Sequence, residues 1–112
     1  MGGGESDDDK RHTLVYRFSM KTLRWNPEKN AELKRTRGGS FEDIVLAIDG
    51  GGLLDVVEHP HRERYPNQAI LVVVVAGYVQ LVPFVEETTY LFLKTIIPSR
   101  KAPREYKSRG ER

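Results

Sequence analysis

The chain contains no cysteine. That absence excludes disulfides, thiolate catalysis and cysteine-ligated zinc together, so stability must come from packing alone. No apolar run reaches the roughly 18 to 20 residues that span a bilayer, and the first residues lack the basic-then-apolar order of a secretion signal. The expected address is cytoplasmic, without membrane contact. Net charge is also small, +2 at neutral pH, so any electrostatic preference must come from how charge is distributed.

The distribution is uneven. Lys94, Arg100, Lys101, Arg104, Lys107, Arg109 and Arg112 are opposed in that stretch only by Glu105 and Glu111. Such a cluster suits phosphate chains or an acidic partner, and equally a solvated tail. At 112 residues the chain is long enough for one core. Residues 1–19 are polar, glycine-rich at the start and without a usable period, and GESDDDK resembles a linker or protease-site scar. They are expected to be a disordered or added leader. Residues 20–106 are expected to form a single α+β domain, and 107–112 a flexible basic tail.

Within the domain, residues 23–25 make a short first strand. Asn26 and Pro27 follow as N-cap and first helical residue. A helix is expected over Pro27–Arg37, with Lys34, Arg35 and Arg37 favourable against its dipole and Gly38 as a left-handed stop. Ser40 with Asp43 caps a second helix, Phe41–Asp49, whose inner stripe is Phe41, Ile44, Val45 and Ile48. The run Gly50-Gly51-Gly52 lacks the lysine of a phosphate-binding loop. Leu53–Glu58 predicts a strand that gives out at His59-Pro60, and HPHRERYPNQ a polar loop. The β-branched run 69–75 predicts a central strand buried on both faces. Ala76-Gly77 turns it into a strand over 78–85, where Pro83 restricts part to an edge or bulge.

The chain is organised around YLFLKTIIPSRKA, residues 90–102. Read as one strand, Tyr90, Phe92, Lys94 and Ile96 share one face, and Leu91, Leu93, Thr95 and Ile97 the other. Pro98 ends the ladder. The expected fold class is α+β: two N-terminal helices packed on a four- to five-stranded, mainly antiparallel sheet, with a short C-terminal helix.

With that order of elements, the residues resemble the BrnT family of type II toxins, relatives of the RelE-like ribonuclease fold. WNPEKNAELKRTRGGSFEDI, residues 25–44, is similar to the family's Trp, first helix, Lys-His-Gly corner and Ser-Phe-Glu-Glu-Ala second helix. TIIPSRKA, residues 95–102, resembles its strand-ending Arg-Ile-Ile-Ser-Ala-Arg-Lys-Ala. Glu63-Arg64-Tyr65 looks like the Glu-Arg-Arg-Tyr that leads into its central strand. The chain departs from the pattern at Arg37, where the family has the corner His, at Thr95, where it has Arg, and at Pro98, where it has Ser.

The resemblance implies a toxin that cleaves cellular or ribosome-associated mRNA without a metal or other cofactor. It also implies a dimeric ribbon-helix-helix antitoxin as partner, with DNA contacted only indirectly through that complex. In such cleavage a 2′-hydroxyl attacks its neighbouring phosphate, and cations plus a titratable group suffice. Arg100 and Arg64 are the expected phosphate grips, since a guanidinium stays charged and can hold two oxygens at once. Lys94 is expected to polarise phosphate or to pair with Glu86. His59, and less so His61, is an acid–base candidate or a turn residue beside proline. Tyr65, Lys101 and Arg104 are expected RNA contacts, Tyr65 by stacking if it is not packed in the core. The competing reading is a catalytically silent binding module that keeps the scaffold for partner or RNA binding.

Overall fold

The structure, a computed structural model, describes residues 21–100. The elements run β1 (Thr22–Trp25), α1 (Pro27–Arg37), α2 (Phe41–Asp49), β2 (Leu53–Glu58), β3 (Gln68–Val75), β4 (Tyr78–Glu86), β5 (Tyr90–Leu93) and β6 (Ile97–Pro98). The α+β class is as expected, but the helices follow β1 and are not N-terminal to the whole sheet. The short C-terminal helix expected from the sequence would lie beyond residue 100, outside the described residues.

The sheet order is β1-β5-β4-β3-β2, with β6 also on β4. Among the described strands only β1 is parallel to its neighbour, with Thr22 opposite Tyr90; the other pairs are antiparallel. A four-residue strand is too short to stand alone. β1 is held because the chain returns β5 beside it and because Lys21 Nζ lies 2.7 Å from the Glu86 carboxylate.

Local chemistry places the helices as the sequence predicts. Asn26 Oδ1 accepts from the backbone N–H groups of Glu28 at 2.7 Å and Lys29 at 3.3 Å. Gly38, at φ 72°, stops α1 in the left-handed region. Ser40 Oγ accepts from Asp43 N–H at 3.2 Å. α2 buries Phe41, Ile44 and Ile48 against the sheet residues Leu71, Val73, Val82, Phe84, Leu91 and Leu93, while Val45 is only half-buried. Trp25 is half-buried and stacks on Phe41, ring centres 5.5 Å apart. The β3–β4 hairpin turns on Ala76 and Gly77, both at positive φ (52° and 84°), the two-residue geometry that suits strand twist.

The expected continuous strand over 90–97 is broken, and Pro83 is the reason. Lys94 N–H donates to Pro83 C=O at 2.8 Å. The reciprocal bond cannot form, because proline has no N–H. The register then slips: Phe84 pairs with Leu93, but Leu81 pairs with Ile97, so three steps along β4 match four along its partner. One extra residue reverses the alternation of side chains. Ile96 therefore enters the core with Leu91 and Leu93 at 8% exposure, while Ile97 faces the opposite side at 43%.

Candidate functional site

The bulge opposite Pro83 has a chemical consequence: it presents the Ile96 carbonyl to the end of α1. Arg37, the last residue before the Gly38 stop, donates from Nη1 to that oxygen at 2.6 Å. One contact thus joins the helix corner to the end of the last strand. Between them opens a cleft of about 390 Å³ with Leu33, Ile44 and Ile96 in its walls. Arg37, Asp43, Tyr78, Gln80 and Ser99 supply its polar lining. Tyr78 is 72% exposed at the hairpin end. Ser99 is fixed by its N–H, which donates to Val79 C=O at 3.0 Å, and the exposed Arg100 follows it directly in the chain.

The corner is held by a residue that pattern reading passed over. Asn30 is buried in α1, its Oδ1 accepting from Phe41 N–H and its Nδ2 donating to Glu42, both at 2.8 Å. It thus satisfies an orphan donor at the start of α2 and docks the two helices. The Asn30 amide is also the main reason the Glu42 carboxyl is held below its ordinary value of 4.5. Replacing Asn30 with alanine strands the Phe41 N–H and is expected to cost about 1–3 kcal/mol in urea unfolding at neutral pH. Because the folded-state Glu42 value is lowered, its contribution is present above the ordinary value and fades as pH falls through the lowered one. The gap between wild type and Asn30→Ala should therefore narrow in acid.

The expected catalytic set does not assemble at this cleft. Arg64, His59 and Tyr65 sit on the loop before β3, at the Gln68 end of that strand, whereas Arg100 lies beyond β6 near Val79 and Tyr78. Eight residues of β3 separate these ends, about 25 Å at strand rise. Lys94 is exposed partway along, at the bulge. Glu86, its expected partner, takes the Lys21 ammonium. Of the described members of that set, Arg100 alone directly follows a cleft-lining residue, Ser99; Lys101 and Arg104 lie outside the described residues.

The loop is packed on itself. His59 Nδ1 accepts from His61 N–H at 2.9 Å, a turn role, and its ring lies 4.6 Å from that of Tyr65. Arg64 stands over the Tyr65 ring at 5.9 Å, and Glu58 pairs with Arg62 at 3.3 Å. Such exposed pairs contribute under about 1 kcal/mol. Among the described residues no group of three or more histidine, aspartate or glutamate side chains converges as a metal-binding set, and no helix is long and apolar enough to cross a membrane.

Arg37, Asp43, Tyr78, Gln80 and Ser99 were not among the expected site residues. The available signal was Arg37 itself, a cation at a corner preceding a glycine. No family model, curated protein or solved structure matches this chain.

Proposed function

We propose that this chain is an RNA-cleaving toxin of the type II class and that its phosphodiester site is the Arg37 cleft. The supporting observation is the Arg37–Ile96 contact, which gathers the two segments resembling the BrnT family into one hollow with a guanidinium, a carboxylate, a phenol and apolar walls. A nucleobase fits against the apolar walls, with its phosphate at the rim.

In this reading Asp43 accepts the proton of the 2′-hydroxyl as that oxygen attacks phosphorus. Tyr78 donates a proton to the departing 5′-oxygen as the P–O5′ bond breaks, leaving a 2′,3′-cyclic phosphate. Arg37 and Arg100 stabilise the crowded phosphate oxygens; guanidinium carries five donors, and the Ile96 carbonyl occupies one at Nη1. The partner is a dimeric ribbon-helix-helix antitoxin that covers the cleft in the cytoplasm, and the substrate is mRNA, free or on the ribosome.

A second reading, RNA binding without cleavage, is favoured by one observation. Among the described residues lining the cleft there is no imidazole. Partner-free protein incubated with end-labelled RNA separates the two. Cyclic-phosphate products, with growth arrest on induction relieved by combining Arg37→Ala and Arg100→Ala, are the expected result. Intact RNA bound in a salt-sensitive way supports the second reading.

A further inference from the structure

We propose that residues 14–20 of this same chain cover the face of the sheet that the helices leave open. The register puts Ile70, Val72, Val74, Val79, Leu81 and Phe92 on that face, because their strand partners alternate with the core residues Leu71, Val73, Val82 and Leu93. Both helices lie on the other side. A sheet apolar on both faces needs both covered.

Burial already carries the mark of a cover. Val72 is 0% and Val79 1% exposed, although neither belongs to the helix-side core. Only Val57 and Ile97, both at 43%, stand out as exposed large apolar residues on this face. No described element accounts for that.

Of the two stretches outside the described residues, composition selects one. The chain after Arg100 holds Lys101, Arg104, Glu105, Lys107, Arg109, Glu111 and Arg112, with Tyr106 its one large apolar side chain. It cannot dress an apolar face without burying charge. The chain before Lys21 holds Leu14, Tyr16, Phe18 and Met20 at every second position, so an extended segment presents them all to one side. It enters at Lys21, beside β1 and next to β5. Seven extended residues span about 23 Å, against about 15 Å for the three strand spacings from β1 to β3. In this proposal the end of the expected disordered or added leader takes the role of a second layer on the sheet.

The absence of cysteine makes the test clean. Phe18→Cys is combined in the full chain with Ile70→Cys, Leu81→Cys or Phe92→Cys in turn, and each is oxidised mildly. At least one pair should form an intramolecular disulfide at a yield unchanged by dilution, while Phe18→Cys with Glu32→Cys, on the helix side, stays reduced. No bridge from any of the three pairs, or bridges only between two copies, overturns the proposal. The second outcome would assign the face to a self-association surface. The double variant Tyr16→Ser/Phe18→Ser should raise binding of an apolar fluorescent dye severalfold and lower the melting temperature; no change in either also overturns it.

Discussion

Arg37→Ala is expected to lower the rate of RNA cleavage by about 10²–10³, the usual consequence of removing one preorganised donor from a developing oxyanion. The effect should fall mainly on kcat, because crowding of charge at phosphorus is greatest in the transition state. Arg37→Lys should not restore activity. A lysine places one compact charge where the planar fork both holds the Ile96 carbonyl and offers further donors to phosphate. Loss of the Ile96 bond alone costs about 1.5–3 kcal/mol of stability, the range for a charged donor, so the variant should remain folded, as a melting curve would show. Tyr78→Phe gives an independent check at a 72% exposed position. It should slow cleavage with little change in RNA affinity, since the ring is kept and only the hydroxyl is lost.

Phe41→Ala is expected to be the most destabilising single change, at about 3–5 kcal/mol. Phe41 is fully buried at the first position of α2, stacks on Trp25, and offers its N–H to Asn30. Truncation leaves a ring-sized void under the helix corner. A domain of this size has about 5–15 kcal/mol in total, so the loss should move the urea midpoint far down while the slope stays near that of wild type. A much smaller shift would mean that the corner collapses to fill the void. In that event the cleft geometry would change with it.

The local signals in the sequence were strong where one residue dictates one conformation. Asn26-Pro27, Gly38, Ser40 and Gly77 mark element boundaries because each satisfies an end group or a positive φ that few other residues can, while Ala76 takes φ 52° against the preference of a residue with a Cβ. The apolar run 69–75 marked its strand for the same local reason. Less legible was what depends on a neighbour distant in sequence. Pro83 was visible as a disruption, but not that its missing N–H faces Lys94 and shifts the register, sending Ile96 inward. The parallel pairing of β1 with β5 joins residues far apart in the chain, as does the Asn30 clamp between the helices. The site followed the same division. Arg100 is legible as a cation past the last strand, whereas Arg37 becomes a cleft residue only once the bulge brings the Ile96 carbonyl to it. Charge alone groups Arg64 with Arg100, and the length of β3 separates them.

The most direct measurement is photo-crosslinking of the full-length protein to a short RNA carrying a photoreactive base, with attachment sites mapped by mass spectrometry. Crosslinks to Tyr78 and to the segment 95–100, diminished by Arg37→Ala and indifferent to Arg64→Ala, are the expected result. Crosslinks confined to the 59–67 loop, or a pattern unaffected by Arg37→Ala, would contradict the placement of RNA in the Arg37 cleft.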